Sequence, residues 1–199
     1  MTLTIYTIGH SRHSIEHFIE LLAQHRVTAV ADVRSTPASQ YSPHFNRASL
    51  KRSLREAGIE YVFLGRELGA RSTDPDCYVD GQVQYRRLAQ TPEFKDGIRR
   101  LRNGMETERI ALLCAEQEPL DCHRTVLVSR ELAELGVEVQ HIHGEGRLER
   151  HDDAMLRLRT GLGLGQPDLF HSSEELLDEA LARQEKRIAY VDPDKALSR

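Results

Sequence analysis

The chain has 199 residues and a mass of 22.7 kDa, enough for one domain with a core of its own, with or without an appendage, and too little for two fused enzymes. Its 27 basic and 31 acidic residues leave a formal charge of −4 and a pI near 6.2, which excludes a generally polybasic protein and makes any contact with nucleic acid local. No apolar run approaches the roughly 20 residues of a membrane span, no basic-then-apolar leader opens the chain, and Cys77, Cys114 and Cys122 are an odd set for a disulfide framework, so a soluble cytoplasmic protein with reduced thiols is expected.

Apolar, β-branched runs alternate with helical periods, the pattern of repeated βα units. A first strand over residues 3–8 leads to Ser14, a cap for a helix whose apolar face is Ile15, Phe18, Ile19 and Leu22. A second strand covers 27–33, and a helix runs from Asn46, as its cap, to Ala57, with Gly58 as its stop. Strand three covers 59–64. Residues 65–83 hold Gly, Pro, Asp, Ser and Thr without sustained period and read as a long binding loop. Thr91-Pro92-Glu93 starts a helix through about Arg102, 109–114 is strand four, 123–135 a helix stopped by Gly136, and 137–143 strand five.

After Gly144 the character changes: Gly161, Gly163, Gly165 and Pro167 precede an amphipathic stretch over 172–187, capped by Ser172 or Ser173, with Leu176, Leu177, Ala180 and Leu181 on one face. That face either packs on the main domain or serves a homodimer. The expected fold is therefore an α/β three-layer sandwich over 1–147, built on a mostly parallel five-stranded sheet of Rossmann-like βα repeats. A helical C-terminal extension over 148–199 packs on it.

Parallel sheets of this kind place ligands outside the carboxyl ends of their strands. Those ends carry Gly9, His10, Ser11 and Arg12; Asp32, Arg34, Ser35, Pro37 and Ser39; Gly65, Arg66 and Glu67; Cys114, Glu116, Cys122, His123 and Arg124; and His141 with His143. Each residue alone has a structural explanation, but a purely structural rim does not need three arginines, several histidines and two thiols.

Three chemistries fit. In the first, Arg34, Arg124 and Arg12 hold a phosphorylated ligand, with Cys122 and Arg124 at a helix N-terminus, while His10, Asp32, Glu116 or His123 carries out acid/base work. Ser11, Ser39 and Asn46 add hydrogen bonds, and the loop Tyr41-Ser42-Pro43-His44-Phe45-Asn46 offers a nucleobase an aromatic to stack on. In the second, Cys114 is a nucleophile, in a strand-Cys-loop-helix order similar to that of rhodaneses and cysteine phosphatases. The carboxylates Glu116, Glu118 and Asp121 stand against it, because they would raise the thiol pKa and repel an anion. In the third, Cys114, Cys122 and His123 join His10, His141 or His143 around zinc, although no paired Cys-x-x-Cys is present and neighbours such as Cys122 and His123 rarely point to one ion from a helical turn.

The segments Thr7-Ile8-Gly9-His10-Ser11, Asp32-Val33-Arg34-Ser35-Thr36-Pro37, Pro43-His44-Phe45-Asn46 and Cys114-Ala115-Glu116 through Cys122-His123-Arg124 resemble, in order and spacing, the domain-of-unknown-function family 488. The similarity spans residues 4–143. It implies a compact α/β protein of bacteria or archaea with its site at His10, Ser11, Asp32, Arg34, Pro37, Asn46, Cys114, Glu116, Cys122, His123 and Arg124, and it implies no reaction. Gln40 stands where the family pattern usually has arginine, and Ala70 where it usually has glycine. The expectation is an enzyme, a hydrolase or transferase, acting on a nucleotide, nucleic-acid end or other phosphorylated ligand at the rim. The alternatives are a non-catalytic module that senses zinc or a nucleotide, and a cysteine-dependent enzyme. No cofactor is required, zinc being the one considered.

Overall fold

Side-chain parity along the strands divides the core into two layers, one on each face of a single sheet. The structure, a computed structural model, describes residues 3–167 and 169–196. Its first half contains β1 (Thr4–Gly9), α1 (Ile15–Gln24), β2 (Ala29–Asp32), α2 (Arg47–Glu56), β3 (Glu60–Phe63), β4 (Tyr78–Val79), β5 (Gln82–Val83), α3 (Tyr85–Gln90) and α4 (Pro92–Gly104). The second contains β6 (Ile110–Cys114), α5 (Arg130–Glu134), β7 (Glu138–Ile142), β8 (Leu148–Arg150), α6 (His151–Gly161), α7 (Ser173–Ile188) and α8 (Pro193–Ala196).

The sheet runs β3-β2-β6-β1-β7-β8, with every neighbouring pair parallel except β7 with β8. Tyr6, Ile8, Val30, Ala111 and Leu113 point to the face covered by α1 and α2, where Phe18, Leu22, Leu50 and Leu54 are buried. Ile5, Ala29, Ala31, Leu112 and Val139 point the other way, under Phe94, Ile98, Leu101, Val126, Leu132, Met155 and Leu181. This is the expected three-layer α/β arrangement.

Local chemistry accounts for the element ends. Ser14 accepts from the His17 N–H at 3.2 Å, Thr91 from Phe94 N–H at 3.2 Å with Pro92 following, and Ser172 with Glu175 forms a reciprocal capping box. Leu176, Ala180 and Leu181 of α7 are buried against the rest of the chain, so the face considered for a homodimer is covered within the protomer. Among the described residues no helix is long and apolar enough to cross a membrane.

Four expectations are corrected. The sheet has six strands, not five: β8 pairs antiparallel with β7 across a tight turn in which Gly146 takes φ +86°. Residues 65–83 are not one loop, because Asp80 (φ 51°) and Gly81 (φ 78°) close a β4–β5 hairpin of the primed-turn kind. Asn46 stands at the N-cap position of α2, yet its side-chain Oδ1 accepts from the Ser39 N–H at 2.7 Å and caps no helix N–H. The helix over 123–135 opens with a π-helical turn, Arg124–Ser129, before α5 continues it.

Under β7, His141 bonds Thr7 Oγ1 (2.8 Å) through one ring nitrogen and His151 (3.2 Å) through the other. Burial holds His151 down at about 4, and burial together with its neighbours' charge holds His141 well below the ordinary histidine value. The unfolded chain then binds more protons than the native one below pH 6.5, so stability falls as the pH drops. His151 alone should cost roughly 2 kcal/mol between pH 7.5 and pH 5. Urea denaturation at both pH values measures this, and His151→Gln should flatten the difference by that amount; an unchanged slope would show that the pair does not resist protonation.

Candidate functional site at the carboxyl rim

β2 ends on Asp32, whose carboxylate is completely buried. The chain after it turns so that Arg34 grips that carboxylate with both edges of its fork, Nε to Oδ1 at 2.8 Å and Nη2 to Oδ2 at 2.6 Å. The Arg34 N–H donates to Oδ1 (3.2 Å), the Tyr61 hydroxyl to Oδ2 (2.7 Å), and Arg34 Nη2 also to the Phe45 carbonyl (2.9 Å). Burial opposes the guanidinium charge, but the hydrogen bonds and charge of Asp32 outweigh it and raise the Arg34 pKa. Beside this pair His10 stacks on Phe45, with ring centroids 4.4 Å apart. Its Nδ1–H donates to the Ser11 carbonyl at 3.0 Å, and burial, then the Arg34 charge, lowers its pKa to about 4, so it is a neutral imidazole.

β1 and β6 keep their ladder beyond the strands, with His10 N–H on the Cys114 carbonyl and Ser11 N–H on the Ala115 carbonyl, both at 2.9 Å. A Cβ on Gly9 would lie 1.8 Å from the Glu116 carbonyl oxygen, so glycine alone permits this approach. After Glu116 a 3₁₀ turn, Pro119–Asp121, brings the chain back over the end of β6. Cys122 is extended (φ −137°, ψ 140°) whereas His123 is already helical (φ −60°, ψ −26°). That change of backbone between neighbours aims both side chains at Cys114, which a continuous helix would not do.

The His123 Nδ1 lies 3.7 Å from the Cys114 sulfur and 3.9 Å from that of Cys122, and all three residues are buried. The other ring nitrogen, Nε2, sits 3.1 Å from the Val33 carbonyl, which can only accept, so Nε2 carries a proton. The helix start is already occupied: the Arg124 N–H donates to the Cys122 sulfur (3.4 Å) and the Thr125 N–H to the Cys122 carbonyl (3.0 Å). Hydrogen bonding to Cys122 and burial push Cys114 up; burial also opposes a Cys122 thiolate, but the bond from Cys114, Arg124 and His123 outweigh it and pull Cys122 well down. Glu116, beside them, is raised chiefly by burial and then by the Cys122 charge.

These groups border a cleft of about 290 Å³, whose walls also include Arg34, Ser35, Thr36, Arg71, Tyr85, Ile188, Tyr190 and Asp121, the last paired with Arg187. Arg71 is exposed; its guanidinium lies over the Tyr190 ring at 4.4 Å and its N–H donates to Ser35 Oγ at 3.2 Å. A groove of about 500 Å³ between α4 and α5 is larger, but no thiol or histidine lines it.

Of the residues expected from sequence, Arg34, Cys114, Glu116, Cys122 and His123 meet in the cleft, with Asp32 directly behind Arg34. Arg124 does not line it: the side chain is fully buried, donating to the Glu116 carbonyl (2.7 Å) and the Gln117 carbonyl (3.2 Å), and its Nε has no partner among the described residues. His10, Ser11, Arg12, Ser39 and Asn46 lie outside the lining, Ser39 and Asn46 bracing their own loop. His141 and His143 are committed elsewhere, to His151 and to Glu149. Sequence reasoning missed Arg71, Tyr85 and Tyr190. For Tyr190 the signal was an isolated aromatic just past a helix end; for Arg71 there was none beyond its place in a long polar segment.

With this geometry in view, a comparison with family models matches residues 14–130 to the family described as Domain of unknown function DUF488. The match covers β2, β6 and the Cys114 to His123 turn, and leaves out β1, β7 and all of the chain after α5 begins. Searches of curated proteins and of solved structures found no match.

Removing one partner of a buried ion pair leaves the other uncompensated, at a cost of roughly 3–5 kcal/mol. Asp32→Asn should therefore lower unfolding stability by about 3 kcal/mol or more, read by urea denaturation at pH 7.5. A loss below about 1 kcal/mol, the range of exposed pairs, would show that the pair does not hold the rim.

Proposed function

The chain belongs to the DUF488 family, whose description carries no reaction, and from the rim itself we propose an enzyme that acts on a small phosphate-bearing ligand, a nucleotide or nucleic-acid end being the leading class. The observation that carries this reading is the shared lining: cations and the Cys114, Cys122, His123 and Glu116 group border the same cleft. Its location, between strands whose following helices lie on opposite faces of the sheet, is where α/β proteins receive ligands. A volume near 290 Å³ sits at the small end of ligand pockets and suits one mononucleotide rather than a polymer segment.

The roles follow from what each group has left to offer. Arg34 is largely committed to Asp32 and Phe45, and Arg124 to two loop carbonyls, so the cation available to an incoming anion is Arg71 at the mouth. Ser35 and Thr36 supply hydroxyls beside it, and Tyr190 and Tyr85 supply flat apolar walls for a base. Glu116, exposed on the cleft lining, is the carboxylate placed for proton transfer, and His123 beside it turns its Nδ1 toward the two sulfurs. His10, stacked away from the lining, serves as a neutral support for Phe45.

A panel of nucleotides and simple phosphate esters, tested for binding by calorimetry and for turnover by phosphate release and chromatography, checks the reading. Arg71→Ala, at an exposed position, should keep the fold and lose at least about tenfold in affinity, the equivalent of one 1.4 kcal/mol contact. Unchanged affinity in that variant would remove Arg71 from the anion site. Binding without transformation of any panel member would instead favour the non-catalytic nucleotide-sensing module, which uses the same cleft.

A further inference from the structure

We propose that Cys114, Cys122 and His123 form a zinc site whose fourth coordination position opens on the rim cleft beside Glu116. Zinc takes sulfur at about 2.3 Å and imidazole nitrogen at about 2.0–2.1 Å, so a tetrahedral ion sets its sulfur and nitrogen ligands about 3.6 Å apart. The observed separations are 3.7 Å and 3.9 Å, and the three donor atoms all lie within 4.8 Å of one another. The side chains are already arranged on one face of a tetrahedron.

The surroundings support the same assignment. His123 Nε2–H on the Val33 carbonyl fixes the tautomer that presents the Nδ1 lone pair to the two sulfurs, the second contact that metal-bound histidines habitually make. The Arg124 N–H donates to the Cys122 sulfur, a contact that steadies a thiolate ligand. Two thiolates neutralise the ion's charge. Two sulfurs and one imidazole also favour zinc over magnesium or calcium, which take oxygen ligands. Three protein ligands with a fourth position open is the pattern of catalytic rather than structural zinc, and all three residues line the cleft. The extended conformation of Cys122 ahead of helical His123 answers the objection that adjacent residues cannot share an ion.

The proposal deepens the active-site reading and rests on it for the use made of the ion; occupancy of the site is tested separately. Reduced protein, stripped with a chelator, is titrated with cobalt(II) alone. The expected result is one equivalent bound, with the strong visible absorption of a tetrahedral ion and a thiolate charge-transfer band, both lost on adding zinc. Cys122→Ser and His123→Gln, checked for folding by circular dichroism, should each weaken cobalt binding at least about tenfold, whereas Glu116→Gln should keep the charge-transfer band. The wild-type titration decides the matter without any variant: reduced protein that takes up no cobalt, or takes it up without a thiolate band, overturns the site. Cobalt binding without affinity for any phosphate ligand would leave the metal standing and remove the substrate reading; ligand binding and turnover by reduced, metal-free protein at the unstripped rate would keep the substrate reading and remove the ion from the reaction.

Discussion

A carboxylate cut off from water has to be neutralised where it lies, and Asp32 is neutralised by a residue two positions further along its own strand end. The cost of a buried, unpaired charge leaves the chain after β2 little freedom. Arg34 must turn inward, which sets the Val33 carbonyl toward His123 Nε2 and brings the Phe45 carbonyl to Arg34 Nη2. Phe45 in turn meets His10 on one side and Phe18 on another. One ion pair thus fixes the loop after β2, the start of α2 and the imidazole that faces the thiols.

The other half of the rim depends on the way the chain re-enters after β6. A helix N-terminus offers unpaired N–H groups and a partial positive charge to an anion. Here the chain fills that position itself, with the sulfur of Cys122 on the Arg124 N–H, while the buried Arg124 side chain clamps the turn that carries Glu116. Two of the three cations that the sequence suggested for an external ligand, Arg34 and Arg124, are consequently committed to partners inside the protein. The cation that does line the cleft from an exposed position, Arg71, was not among the three and comes from the stretch read as a long binding loop.

Sequence legibility followed the range of the interactions involved. Caps such as Ser14, Thr91 and Ser172 act within three residues, and the parity of β1, β2 and β6 needs only alternation, so those elements and the sheet's parallel character could be read directly. The Asp80-Gly81 turn was legible in principle, as a dipeptide suited to two positive φ values, but two-residue strands are too short to show a period. β8 failed for a similar reason: three residues after a glycine turn look like a boundary until β7 is there to pair with them. The positions of Cys114, Cys122 and His123 around one point could not be derived from spacing, since they depend on the extended backbone at Cys122 and on a π turn held by packing. Arg124 was misjudged because its helix position is the same whether the side chain faces solvent or the core.

Tyr190 and Ile188 reach the cleft from the end of α7, which is anchored by Gln184 on the Leu120 carbonyl (2.7 Å) and by the pairing of Arg187 with Asp121. The thiols, the imidazole and the carboxylate all fall within the segment that the family shares, whereas this wall comes from beyond it. On the reading proposed above, the groups assigned to proton transfer and metal binding and this one wall of the cleft are therefore carried on different stretches of the chain. Changes in the last turn of α7 would reshape that wall without touching Cys114, Glu116, Cys122 or His123.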